Sequence, residues 1–229
     1  MKRVASDLVT LEREIGAPLA EVRFRRGVLD LPVLHVPDQD DLWHEAIDLD
    51  RPPYWATLWP AALGLARWLA DGAALGTGLP PAPTLEIGCG VGLPGVVAAW
   101  LGSPVTQTDY ETRALRLAMA NADAAGLPVD AIEYRVADWR AWPLATRFPR
   151  MIAADVLYEA ALHPALRDVL DAALLGGGEA LLADPGRPPA LTFAAELERD
   201  GWRVEIEDLP RQDGEPNLFL YRCYNRSAW

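Results

Sequence analysis

The chain has few cysteines, almost no lysine, few histidines and no long apolar run. Its two cysteines, Cys89 and Cys223, provide no disulfide framework and suit a reducing cytoplasm. No uninterrupted apolar stretch reaches the ~18–20 residues of a membrane span, so no membrane partner is expected. The N-terminus opens on Lys2 and Arg3 but lacks the apolar core of a signal peptide. Lys2 is the only lysine, a bias that reads as the codon usage of a GC-rich bacterial genome rather than as function. With a net charge of −12 and no basic cluster longer than Arg23-Phe-Arg-Arg26, the chain lacks the concentrated positive field that nucleic acid demands. His35, His44 and His163 show no metal-ligand spacing and no nucleophile partner, so they read as surface or loop residues and no metal is expected.

What is present is an apolar majority, 51% of 229 residues, enough for one large α/β domain. The expected division is an N-terminal β or irregular extension over 1–52 and a main domain over 53–229, in a cytoplasmic monomer. Residues 21–36 read as a short hairpin, and the prolines and aspartates of 37–53 as loop. A helix is expected over 59–72, with Leu63, Leu65, Trp68 and Leu69 able to share a face and Gly72 stopping it. Beyond the linker at 74–83, strands alternate with helices. Strands are expected at TLEIG, PVTQTD, AIEYRVADW, RMIAADVLY, EALLADP, RVEIEDL and LFLYRCY, with helices following the first, second, fourth and fifth. The helix from His163 should end on the glycines at 176–178. This alternation predicts a mostly parallel, Rossmann-like seven-strand sheet with helices on both faces. Only PRQDGEPN joins the last two strands, too short for a parallel crossover, so they should pair antiparallel.

Residues 86–95, EIGCGVGLPG, contain a literal G-x-G-x-x-G from Gly90 to Gly95. Such a turn lets a ligand approach the backbone where a helix begins, and in dinucleotide-binding folds the helix terminus meets a pyrophosphate. Here the carboxylate of Glu86 precedes Gly88. It opposes an anionic ligand and suits a cationic one, such as the ammonium and sulfonium of S-adenosylmethionine (SAM). Asp109 ends the second main-domain strand, where a carboxylate can accept from both ribose hydroxyls, a placement that NAD proteins share. Asp138 and Trp139 end the third, where a carboxylate and a ring can bracket an adenine. The antiparallel strand pair at the sheet edge also fits SAM enzymes better than NAD enzymes.

These residues make the sequence similar to the class I SAM-dependent methyltransferases, and more narrowly to the protein-lysine methyltransferases called family 16. The match is carried by PYWATLWPAALGLARWL, LEIGCGVGLPG, TDY with Asp138-Trp139, and AADVLY; it runs from about Pro53 to the C-terminus. PYWATLWP and ADPGR (183–187) resemble the branch acting on the electron-transfer flavoprotein β-subunit. The resemblance implies Trp59 against the cofactor and a catalytic Asp-x-x-Tyr signature, Asp155 and Tyr158. The expected cofactor contacts are Trp59, Glu86, Gly88, Cys89, Gly90, Gly92, Asp109, Tyr110, Asp138, Trp139 and Ala154. Nothing nearby would activate the Cys89 thiol, so it is not read as a nucleophile. Trp43, Trp68, Trp100, Trp142 and Trp202 read as core. Arg51-Pro-Pro-Tyr54 resembles the Asn/Asp-Pro-Pro-Tyr motif of nucleic-acid amino-methylases, but arginine cannot accept a hydrogen bond and the tetrapeptide precedes the first main-domain strand.

The implied reaction is methyl transfer from SAM to a lysine of a protein, with Asp155 binding and orienting the amine and Tyr158 lining its channel. The alternatives are N-methylation of a small amine or a protein N-terminus, a non-catalytic SAM-binding regulator, and an NAD-dependent oxidoreductase. The last lacks a catalytic Tyr-x-x-x-Lys, since the only lysine is at position 2.

Overall fold

The computed structural model describes residues 2–43 and 52–225. The chain opens with helix α1 (Lys2–Ile15), the hairpin β1 (Ala20–Arg26) and β2 (Leu29–His35), and a single turn, α2 (Asp40–Trp43). Then follow α3 (Pro60–Leu75), β3 (Thr84–Ile87), α4 (Leu93–Trp100), β4 (Val105–Asp109), α5 (Thr112–Ala124), β5 (Ile132–Val136) and β6 (Phe148–Ala154). The rest comprises α6 (His163–Ala173), β7 (Leu174–Asp184), α7 (Pro188–Arg199), β8 (Arg203–Asp208) and β9 (Phe219–Tyr224). The main sheet has seven strands in the order β5-β4-β3-β6-β7-β9-β8, parallel except for β9, which runs antiparallel to both neighbours. This is the expected sheet, with its antiparallel edge.

Alternation along the central strands divides the core between the two faces. Ile152, Leu181, Ala183 and Leu220 pack toward α3, α4 and the N-terminal hairpin. Met151, Ala153, Leu182 and Tyr221 pack toward α6 and α7. Because side chains point alternately up and down, these consecutive apolar residues serve both layers. Each such Leu or Ile contributes about 1.5–3 kcal/mol by burial. The chain passes from β3 to β4 on one side and reaches β6 on the other, so a crevice opens at the carboxyl ends of these strands. Ligands of open α/β sheets bind at such a switch point.

Several local expectations need correction. The N-terminal extension is not only β and irregular: α1 covers fourteen residues, with Leu11 and Ile15 buried one turn apart on one face. Arg113 of α5 donates to the carbonyl of Ile15 at 3.2 Å, and Arg116 pairs with Glu14 at 2.7 Å. Gly72 does not stop α3. The helix continues to Leu75 and ends on Gly76, at φ +68, while Gly78 folds back against Gly72 too closely for a β-carbon there. The glycines at 176–178 do not end α6 either. That helix stops at Ala173, and they lie inside β7, where pairing with β6 jumps from Phe148↔Leu174 to Arg150↔Glu179. Without side chains they accommodate a bulge, which looks like a helix stop in the sequence. Trp202 is core as expected, Trp43, Trp68 and Trp142 are half-buried, and Trp100 is exposed. His163 is buried rather than superficial, with Nε2 3.3 Å from the Leu157 carbonyl and its ring against Phe193. His44 and Arg51 lie outside the described residues.

Candidate active site

A cavity of about 630 Å³ opens where the sheet predicts, at the carboxyl ends of β3, β4 and β6. Every residue expected to contact the cofactor lines it except Gly92, and both members of the expected catalytic pair do as well.

Its floor is the turn after β3. Glu86 is buried, and its Oε2 accepts the N–H of Gly95 at 3.1 Å and the side-chain amide of Gln107 at 2.6 Å. Gly95 is in the first turn of α4, so the carboxyl of Glu86 satisfies a helix N-terminal donor from below. That is the place a pyrophosphate would take in a dinucleotide site. A β-carbon at Gly95 would overlap Glu86 Oε2, so the last glycine of the fingerprint admits a protein carboxyl and not a phosphate. Gly92, at φ +79, serves the same packing: its carbonyl accepts from Gln107 at 2.8 Å, and a β-carbon would meet Ala118. It shapes the turn without lining the cavity.

Burial pushes the Glu86 carboxyl up to about 8, opposed by its bonds to Gln107 and Gly95. Asp109, at the end of β4, is also buried and pushed up to about 6, although its oxygens accept the N–H groups of Glu111 and Gly90, both at 3.0 Å. Glu86 is thus ready to ionise when a positive ligand arrives, while Asp109 is already largely ionised at neutral pH and ready to accept from hydroxyl groups. Burial and the two neighbouring acids push the Cys89 thiol well up, which agrees with its inertness. Trp139 begins a 3-10 turn after β5 and lays its ring against Gly88, while Asp138 is held by Arg140 at 2.7 Å. The ionisable carboxyls lining the cavity are Glu86, Asp109, Asp138, Asp155 and Glu159, against the single guanidinium of Arg140. Such a lining repels a diphosphate and suits a cationic adenosine ligand. The donor set therefore fits SAM.

The other wall holds the Asp155-Val-Leu-Tyr158 signature. Asp155 follows β6 at φ +58, the only non-glycine residue with positive φ among the described residues. Its N–H donates to Ala183 at 2.9 Å, and its Oδ2 accepts the N–H of Ala61, in the first turn of α3, at 3.2 Å. Its Oδ1 pairs with Arg187 at 2.7 Å. Burial pushes this carboxyl up, and Arg187 draws it part of the way back. Backbone strain of this kind persists where surrounding contacts over-determine it, and it clusters at functional positions.

Tyr158 stands at the rim beside two rings that precede α3. Tyr54 meets it edge to face at 5.7 Å between centroids and meets Trp59 likewise at 5.8 Å; the Trp59 indole N–H donates to the Tyr54 carbonyl at 2.9 Å. Sequence reasoning did not single out Tyr54 or Trp55. Trp55 is buried with the Arg113 guanidinium 5.1 Å from its ring centre, and its carbonyl approaches Gly90. Both flank the Trp59 that was picked out, but no local pattern separates a cavity-lining ring from a core ring. Sequence reasoning also missed Arg187, which sits in ADPGR three residues after its partner Asp184, because its role depends on the distant Asp155.

Comparison with known proteins agrees with this geometry. The chain is 29% identical, over 140 residues, to the electron transfer flavoprotein beta subunit lysine methyltransferase of Danio rerio, an alignment covering 59% of this chain and 51% of that protein. The chain thus spans about half the length of that relative. Among solved structures, N-methyltransferase NodS of Bradyrhizobium japonicum with S-adenosyl-L-homocysteine superposes with a TM-score of 0.55 at 19% identity, over 82% of this chain and 97% of that one. A putative O-methyltransferase of Nostoc punctiforme gives 0.57 at 16% identity, over 79% and 63%. These identities speak for the fold alone. The lysine methyltransferase family profile matches residues 53–187, more than half of the chain and the segment that builds the cavity floor, Asp155 and Arg187. With a carboxyl-lined cavity on a seven-strand sheet, and matched over that site by the profile, the chain belongs to the lysine methyltransferase family.

Proposed function

We propose that the protein transfers the methyl group of SAM to the side-chain nitrogen of a lysine in a protein. The observation that carries this reading is the placement of Asp155 in a cavity whose rim is formed by Tyr54, Trp59 and Tyr158. A lysine brings an apolar stem and a nitrogen tip, and aromatic walls with one deep acceptor match both parts.

SAM supplies a methyl carbon already activated by its positive sulfur, so alignment of the acceptor is the main task left to the chain. A lysine has an ordinary pKa of ~10.4, and deprotonating it at pH 7 costs about 4–5 kcal/mol. Asp155 accepts an N–H of the incoming amine and aims its lone pair. The ring of Tyr158, exposed at the rim and packed edge to face on Tyr54, lines the entrance and disfavours the charged form once the lysine stem covers it. Glu86 and Asp109 hold the donor's positive and hydroxyl groups on the opposite wall.

The relative in Danio rerio makes the electron-transfer flavoprotein β-subunit the first acceptor to try. Purified protein is incubated with methyl-labelled SAM and either that β-subunit or a cell lysate. Label on protein that disappears when the mapped lysines are changed to arginine supports the reading. Label confined to small molecules or to a protein N-terminus overturns it.

A further inference from the structure

Arg187 stands behind the site rather than in it. It is not among the residues that line the cavity, yet its guanidinium spans two carboxylates. One nitrogen lies 2.7 Å from Asp155 Oδ1 and another donates to Asp184 Oδ2 at 2.8 Å. Asp184 is fully buried, and its Oδ1 accepts the backbone N–H groups of Gly186 and Arg187, both at 2.8 Å. The side chain that pairs with the guanidinium therefore also shapes the turn that delivers it. Asp155 Oδ2 accepts the N–H of Ala61, while Oδ1 is held by Arg187 as an ion pair and accepts no hydrogen bond, so both oxygens keep lone pairs for an incoming donor.

This arrangement answers a difficulty in the chemistry. Methyl transfer needs a nitrogen lone pair, and an isolated carboxylate beside a lysine stabilises the ammonium that lacks one. We propose that Arg187 is a positioning residue that cancels the charge of Asp155 while leaving its spare lone pairs open, so that the acceptor nitrogen is held as a neutral amine. The inference rests on the lysine-directed reading above. Asp155 is faced by Asp184 at the end of β7, by Arg187 from the turn that follows, and by the Ala61 amide in the first turn of α3. Glu86, Asp109, Tyr158 and Glu159 stand on the other walls. The negative charge left over in the trio is on Asp184, outside the cavity lining and against the amides that begin α7.

Without the guanidinium, Asp155 and the amine together retain one more proton at neutral pH, whichever atom carries it. Transfer must await its loss. The test is the pH profile of kcat/KM for wild type, Arg187→Met, Arg187→Lys and Asp155→Asn/Arg187→Met, using labelled SAM and the electron-transfer flavoprotein β-subunit. Arg187→Met should be at least about tenfold slower near pH 7.5, and the deficit should close toward about pH 10 because the rising limb is displaced by a unit or more. Arg187→Lys should move the limb part of the way back. The double variant removes both charges and keeps a carbonyl acceptor, so its limb should return to the wild-type position whatever its height. Calorimetric SAM binding confirms which variants are folded. A profile for Arg187→Met that parallels wild type at every pH would overturn the proposal. If wild-type enzyme labels no lysine, the functional reading fails instead. The charge relation is then decided by carbon-13 NMR of the Asp155 carboxyl, whose titration must move upward in Arg187→Met and overturns the proposal if it does not.

Discussion

Glu86 and Gln107 share a buried hydrogen bond of 2.6 Å beneath the glycine turn, and Glu86 Oε2 also caps the N–H of Gly95 at 3.1 Å. The glycine turn thus carries its own carboxyl, already placed where other nucleotide folds receive an anion from the ligand.

The Glu86 carboxyl is mostly protonated in the free protein at pH 7, because burial pushes it up to about 8. A cationic ligand draws it into the ionised form. SAM binding at pH 7 should therefore release a proton, seen in calorimetry as a dependence of the heat on buffer ionisation enthalpy, and affinity should rise from pH 6 to 8. In Glu86→Gln both effects should shrink. The free protein follows the opposite slope. Its folded state binds a proton that the unfolded chain, with an ordinary glutamate, gives up near pH 4.5, so this contribution to stability is complete below that pH and is lost as pH rises through about 8. Thermal melts without SAM should show Tm falling over that window, less so in Glu86→Gln.

Gly95→Ala should disable the floor. Its β-carbon must displace Glu86 Oε2, breaking the helix cap and disturbing the bond to Gln107. A loss of about 2–4 kcal/mol in denaturant unfolding is expected, with SAM affinity down at least about tenfold.

Asp155 separates backbone from charge. Asparagine tolerates φ near +58 and keeps an acceptor for Ala61, so Asp155→Asn should stay within about 1–2 kcal/mol of wild type. Asp155→Ala loses the acceptor, leaves Arg187 without one partner and strains the turn, and should cost about 2–4 kcal/mol. Transfer should fall on the order of 100-fold or more in the alanine variant while SAM affinity changes little, and normal turnover would refute the role given to Asp155.

Tyr54→Ala should leave stability nearly untouched, since the ring is exposed, but it removes both edge contacts at the rim. The kcat/KM for a protein acceptor should drop about tenfold, chiefly through KM, with SAM binding retained.

Asn121→Ala should loosen the N-terminal hairpin. The Asn121 side chain accepts from Leu34 N–H at 2.7 Å and donates to the carbonyls of Leu34 at 3.0 Å and Val91 at 2.8 Å, linking β2, α5 and the glycine turn. Leaving those groups unpaired should cost about 2–4 kcal/mol. Amide exchange should then quicken in β2 and in the turn around Val91 together. Exchange confined to β2 would show that the hairpin and the site are not coupled.

Two of the errors in reading the main domain were local and share one cause. Gly72 and the glycines at 176–178 resembled helix stops, but Gly72 makes room for Gly78 and the triplet makes room for a bulge. A glycine marks an unusual backbone position without saying which neighbour demands it. Helix α1 is a different case, since Val4, Leu8, Leu11 and Ile15 recur at helical spacing in the sequence and the helix was there to be read.

The order of strands and helices in the main sheet, its antiparallel edge, the cofactor class and half of the cavity lining were readable from the amino-acid order alone. They depend on periodicity, on short loops and on motifs contiguous in the chain. Tertiary structure decided what required residues from distant elements to meet: the capping of α4 by Glu86, the three-ring rim, and the pairing of Arg187 with Asp155. The physical reason is that charge compensation and hydrogen-bond capacity depend on distance and burial in space, and neither is encoded by spacing along the sequence.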